Sequence, residues 1–165
     1  QLSRGLGDVY KRQIINYWEH PDPNDEELLY KAVHHNHPCT LWTRQTTGNY
    51  DWHYQLFAEL CNEFTKRFGK THLSESLLLE RLKKHPVKLP KGARTKFPLA
   101  MSNLPECMVE DPVQSYRNYY IAKQSYMPCD WNKGTPMPSW FKKLDVEGVD
   151  MFLQEKRYEQ QYHQV

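Results

Sequence analysis

The sequence predicts a mainly α-helical protein, a single compact helical domain over residues 14–165 with long ordered loops. Three observations point there. Apolar residues recur at intervals of three and four between Thr40 and Phe68, the period of a one-sided helix. No segment alternates apolar and polar residues as a half-buried strand would. The chain is also rich in Tyr (11), Trp (5) and Phe (6) while short of Ile and Val, which suits packed helices better than a sheet.

Residues 14–38 are polar and turn-rich, with His20-Pro-Asp-Pro23 breaking any long element and Glu26–Val33 long enough for two helical turns. His34-His-Asn-His37 leads into Pro38, whose missing N–H costs nothing in a first turn. The main helical stretch places Trp52, Leu56, Phe57, Leu60, Cys61, Phe64 and Phe68 on one face, so Leu56, Phe57, Leu60 and Phe64 are expected to be buried. Gly48-Asn49 is the expected division between a short helix and a long one. Gly69 follows the last periodic residue as a left-handed terminator, with Lys66, Arg67 and Lys70 near the negative end of the helix dipole.

A second helix is expected from Ser74 to Lys84, with Leu77, Leu78 and Leu82 inward and Pro86 beyond its end. Residues 86–110 hold four prolines and no sustained period, so they read as a long ordered loop. Asp111-Pro112-Val-Gln114 has the form of a reciprocal capping box opening an aromatic helix to about Gln124. Pro128–Pro138 is loop again, Trp140-Phe-Lys-Lys143 follows, and a polar helix from Gly148 to Tyr162 closes the chain.

Composition excludes some classes. Hydrophobic residues at 39% and charged ones at 25% fit neither a disordered tail nor a membrane protein. No apolar run approaches the roughly 18 residues of a spanning helix. The net charge of +2 is too balanced to name a nucleic-acid partner by itself. Cys39, Cys61, Cys107 and Cys129 are widely spaced, without a CxxC pair or a secretory leader. They read as small core residues in a reducing, cytoplasmic setting.

The first thirteen residues stand apart. Asp8-Val-Tyr-Lys-Arg-Gln13 reads as the translation of a transposase adaptor used in sequencing libraries, and the chain begins without Met. Ile14 is therefore taken as the first native residue, with the natural N-terminus expected to be missing.

Two constellations carry chemical possibilities. His34, His37 and Cys39, with His35 beside them, are zinc-type donors, but four ligands are wanted and no second cluster matches them. The favoured reading is a hydrogen-bonded helix-entry loop, with no metal or other cofactor. The second constellation interleaves cations and rings: Lys66, Arg67, Lys70, His72, then Lys88, Lys91, Arg94, Lys96, then Arg117, Tyr119, Tyr120, and finally Trp131, Lys133, Trp140, Phe141, Lys142 and Lys143. Cations neutralise phosphates and rings stack on exposed bases. No nucleophile–base order and no glycine-rich phosphate loop is visible, and Glu59 with Glu63 is an ordinary solvated pair.

Asn36-His-Pro-Cys-Thr-Leu-Trp42, Asn49-Tyr-x-Trp52, Leu60-Cys-x-Glu63 and Arg67-x-Gly-Lys-x-His72 form one block of motifs. Phe97-Pro-Leu-Ala-Met101, Tyr116-Arg-Asn-Tyr-Tyr120 and Pro138-x-Trp-Phe141 complete it. Over residues 34–142 this pattern resembles a family of small phage and bacterial proteins. More distantly, the order of parts is similar to the pyrimidine-dimer DNA glycosylases of the endonuclease V type. The resemblance implies DNA as partner, action on a damaged or modified base, and a Schiff base formed by an N-terminal amine with a Glu nearby. An α-amine is partly neutral at pH 7 and suits that role.

The Asp-x-His…Glu helix of those enzymes is not found in this chain, so no catalytic residue is assigned. Trp140, Phe141 and Lys142 carry over as the lesion-facing segment. The full set of expected DNA contacts is Lys66, Arg67, Lys70, Lys91, Arg94, Lys96, Arg117, Trp140, Phe141 and Lys142. The competing readings are a non-catalytic phage nucleic-acid-binding accessory protein and a zinc-stabilised interaction module. A monomer without membrane association is expected in each case.

Deleting residues 1–13 should leave the melting temperature unchanged within error, because an adaptor-derived segment was never selected with the domain. A large loss of stability in thermal unfolding would show that the extension belongs to the fold.

Overall fold

The computed structural model describes residues 36–162. The expectations for residues 1–13, for a helix over 26–33, and for His34 and His35 fall outside them. Five α-helices and two short 3-10 turns make up the regular structure, with no strand among the described residues. The chain divides between Pro98 and Leu99 into two compact units.

In the first unit, α1 (Pro38–Thr43) opens with Pro38 in its first turn, and His37 Nδ1 accepts the Cys39 N–H at 3.2 Å. α2 (Thr47–Phe68) is capped by Thr46, whose hydroxyl accepts the Asn49 N–H at 3.1 Å. It ends at Gly69 with φ 64°, where the left-handed turn that favours glycine lets the Gly69 N–H reach the Thr65 carbonyl at 2.8 Å. α3 (Leu73–Leu82) takes His72 as its cap, the ring Nδ1 accepting the Ser74 N–H at 3.0 Å. Two histidines thus do the work usually given to Ser, Thr or Asp.

The core of this unit joins Tyr50, Phe57 and Cys61 of α2 to Leu78 and Leu82 of α3 and to Leu89 beyond it. Tyr50 also donates its hydroxyl to the Leu82 carbonyl at 3.0 Å, so its buried phenol is paired.

The buried stripe of α2 differs from the expected one. Phe57 is 1% exposed and Cys61 is buried, but Leu60 is 46% exposed, Phe68 is 56% exposed, and Leu56 and Phe64 are half-buried. The face that packs inward carries Asn49, Tyr50, His53, Phe57 and Cys61. Two polar residues belong to it because each finds partners inside. Asn49 donates to the Trp42 carbonyl at 2.8 Å and accepts the Thr95 N–H at 2.7 Å. His53 Nδ1 lies 2.7 Å from the Thr43 hydroxyl. Hydrophobic spacing alone rotates the stripe away from these groups.

Segment 86–98 has no regular structure, yet it is pinned across the start of α2. Thr47 and Gly48 donate their N–H groups to the Pro90 and Gly92 carbonyls, each at 2.9 Å, and Thr46 donates its hydroxyl to the Ala93 carbonyl at 3.0 Å. Gly48 is required by this approach, since a Cβ there would sit 2.5 Å from the Arg94 nitrogen.

In the second unit, Met101, Cys107, Ala122, Val149 and Leu153 form the core between α4 (Pro112–Ala122), α5 (Val146–Tyr162) and the 3-10 turn Pro105–Cys107. Arg157 of α5 bonds the nearly buried Glu106 at 2.7 and 3.1 Å, and Gln160 Nε2 reaches the carbonyls of Pro105, Glu106 and Met108. The reciprocal cap expected at Gln114 does not form. Asp111 accepts the Val113 N–H at 3.0 Å, while Gln114 turns along the helix to Asn118 at 2.9 Å. Asp145 caps α5 by accepting the Gly148 N–H at 2.8 Å.

In urea unfolding, Phe57→Ala should cost about 3–5 kcal/mol and Leu60→Ala less than about 1 kcal/mol, following burial rather than hydrophobic spacing. Gly48→Ala, which in an open helix gains about 0.5–1 kcal/mol, should instead destabilise. Equal losses for Phe57→Ala and Leu60→Ala would contradict the observed face.

Candidate nucleic-acid interface

Charge is unevenly placed along the chain. Between Glu80 and Glu106 the sequence contains no acidic residue and seven basic ones: Arg81, Lys83, Lys84, Lys88, Lys91, Arg94 and Lys96. The whole chain carries +2, so everything outside this stretch carries −5. All but Arg81 are exposed, and Arg81 gives its guanidinium to the Leu77 carbonyl at 2.6 Å. Lys83 lies 3.9 Å from Glu80 with both side chains open to solvent, a pairing of little weight.

The part of this stretch that carries Lys91, Arg94 and Lys96 is the part clamped on α2. The clamp has a second consequence. A helix N-terminus attracts anions through its free N–H groups, but those of Thr47, Gly48 and Asn49 are taken by Pro90, Gly92 and Thr46. Attraction for phosphate at this place therefore falls to the cations.

Beside them lies an aromatic cluster. Trp52 and Phe97 are half-buried with ring centroids 4.4 Å apart, and the buried Trp42 meets both edgewise at 5.8 and 5.3 Å. The Arg94 guanidinium lies over the Phe97 ring at 5.4 Å, a geometry that holds the cation near the ring while leaving it wet. The indole nitrogen of Trp42 is buried without a hydrogen-bond partner among the described residues.

At the end of α2, Lys66 and Lys70 are exposed. Arg67 is committed to Glu63, one turn back, at 2.7 Å, and a phosphate there has to compete with that carboxylate.

In the second unit, Arg117 of α4 lies over the half-buried Trp140 at 5.7 Å, and Lys142 is exposed two residues further on. Phe141 corrects the expectation of a lesion-facing ring. It is 5% exposed, with Trp131 at 4.5 Å and Trp140 at 5.7 Å, so the ring is packed inside the unit. Gln124 holds this segment from both sides, donating to the Lys142 carbonyl at 2.8 Å and accepting the Leu144 N–H at 3.2 Å. An open cleft of about 390 Å³ nearby includes Met127, Cys129, Asp130, Lys143 and Asp145 in its walls; its two carboxylates make it a poor phosphate site.

The structure thus places Lys91, Arg94 and Lys96 on one pinned segment and pairs Arg117 with Trp140. Lys66, Arg67 and Lys70 form a separate turn. Sequence reading missed Lys83 and Lys84 and the Trp52–Phe97 pair. The acid-free run was the available signal for the lysines, while the ring pair joins residues 45 positions apart and had none.

The metal reading concerned His34, His37 and Cys39. His34 is outside the described residues, and His37 Nδ1 serves as the cap of α1. Among the described residues no three His, Cys, Asp or Glu side chains gather as a metal site would require. None of the four cysteines forms a disulfide; Cys61 and Cys107 are buried, and burial pushes both thiols up to about 11. No described helix is long and apolar enough to cross a membrane.

His53 is lowered to about 4 by burial. Thr43 gives its hydroxyl proton to the Cys39 carbonyl at 2.7 Å, so the neutral ring donates Nδ1–H to Thr43 Oγ1. This is a structural histidine that joins α1 to α2. The chain matches no protein-family model, no curated protein and no solved structure.

Because His53 is protonated more readily unfolded (about 6.5) than folded (about 4), its contribution is fully present above about pH 6.5. It is lost as pH falls towards 4, amounting to about 3 kcal/mol across that window. His53→Asn should therefore show a flatter fall in unfolding free energy between pH 7 and pH 4.5 than the parent. Parallel profiles would refute the assignment.

Proposed function

We propose that this protein binds DNA and acts in the manner of the DNA glycosylase/AP-lyases it resembles, on damaged or modified bases. One observation supports the binding above all: seven cations and no acid between Glu80 and Glu106, with Lys91, Arg94 and Lys96 on a segment fastened to α2. A fastened segment loses little further backbone freedom on binding, so more of the attraction appears as affinity.

Arg117 and Trp140 are the second element of the reading. A guanidinium over an indole presents a cation and a ring edge at one place, a combination suited to a distorted phosphodiester backbone and the base beside it. The glycosylase-like step itself is supported by the resemblance. Its competitor, an accessory protein that binds DNA without chemistry, shares the same cations.

Duplex binding should weaken steeply as salt rises. Lys91→Gln with Lys96→Gln should lower the magnitude of the log–log salt slope by about 1.8, at about 0.9 per phosphate contact, and Arg117→Ala by about 0.9 on the same scale. Titrations that superimpose on the parent at every salt concentration would remove these residues from the interface. Borohydride trapping of the protein on abasic, dimer and modified-base duplexes then separates the two readings. A covalent adduct marks Schiff-base chemistry, and none on any duplex leaves the accessory binder.

A further inference from the structure

The aromatic cluster beside the basic segment has no part in duplex attraction, and its placement calls for a reason. We infer that the first unit takes single-stranded DNA, with an unpaired base stacking at Trp52 while Lys91, Arg94 and Lys96 hold the strand's phosphates. The inference rests on the DNA-binding reading and narrows it to a strand form.

Four observations carry it. Trp52 is half-buried beside the exposed cations, with Phe97 behind it at 4.4 Å and the Arg94 guanidinium over Phe97. Base faces are available to such a ring only when the bases are unstacked, since in a duplex each face is covered by its neighbour. No acid occurs from Arg81 to Pro105, so the cations have no acidic neighbour along their own segment.

The third observation is shape. Residues 91–98 form neither helix nor strand, so they present no helix to a major groove. The clamp also consumes the N–H groups at the start of α2, which removes the usual helix-terminus grip on a duplex phosphate. The fourth is Trp42. It lies 5% exposed against both rings, and its indole N–H has no partner among the described residues. Trp42 meets both rings edgewise and so holds them in place beside the cations.

The chemistry selects bases rather than anions in general. Phosphate alone would be served by the lysines, and an acidic peptide has nothing to gain from a ring face. A pyrimidine or purine plane between phosphates uses both.

The test compares three probes at matched salt: an oligo-dT strand of about 12 nucleotides, an abasic strand of equal length, and a duplex. The dT strand should bind at least about fivefold tighter than the abasic strand, the least that one stacked base supplies. It should quench tryptophan fluorescence where the abasic strand does not. Trp52→Leu should bring dT down to the abasic affinity and leave the salt slopes of all three probes unchanged. If circular dichroism shows that Trp52→Leu does not fold, Trp52→Phe should keep the preference for dT while losing most of the quench. Equal affinity for dT and abasic strands would overturn this inference and leave DNA binding intact. Absence of salt-dependent binding to any probe would overturn the DNA-binding reading, and this inference with it.

Discussion

The first unit depends on Asn49. Its side chain is completely buried, yet both ends of the amide are paired: Nδ2 with the Trp42 carbonyl and the Thr95 hydroxyl, Oδ1 with the Thr95 N–H. One residue in the first turn of α2 thereby ties α1 to segment 86–98. The neighbouring threonines add bonds to Gly92 and Ala93, and Gly48 leaves the space in which the segment's backbone lies. A buried amide with every partner in place specifies one arrangement strongly, because any shift leaves a donor or an acceptor unsatisfied. A proline-rich stretch without regular structure is given a fixed course by this means.

That course decides what the charges can do. Lysines on a loose loop would lose much of their attraction to ordering entropy. On the clamped segment their backbone is already placed, with Arg94 further steadied over Phe97. The same bonds cap α2 internally, so helix-terminus N–H groups contribute nothing at this place. Arg67, spent on Glu63, contrasts with Lys66 and Lys70, which remain exposed.

The second unit uses side chains in place of backbone ladders. Gln160 gathers three carbonyls of the 105–108 turn, Arg157 neutralises Glu106, and Ser115 accepts the Val109 N–H at 2.9 Å. Gln124 does the same for the segment bearing Lys142 and Leu144. Long connections are thereby held by amide and guanidinium groups on helices, which satisfy backbone atoms that no strand partner would otherwise reach. The Arg117–Trp140 pair sits on this framework, with Phe141 packed behind it.

By itself the sequence determined the helical class, the approximate extents of the helices, the glycine stop at Gly69, the proline starts at Pro38 and Pro112, and the basic run. These follow from local period, backbone restriction and charge, all readable within a few residues. The tertiary structure alone decided which side of α2 faces inward. Asn49 and His53 are buried because Thr95 and Thr43 receive them, and Leu60 is left exposed as a result. It also decided that Phe141 belongs to the core, that Gln114 serves Asn118, and that Trp52 meets Phe97. Each of these depends on a partner or on packing that spacing does not encode. The free energy of a buried polar group or ring is set by what surrounds it in space.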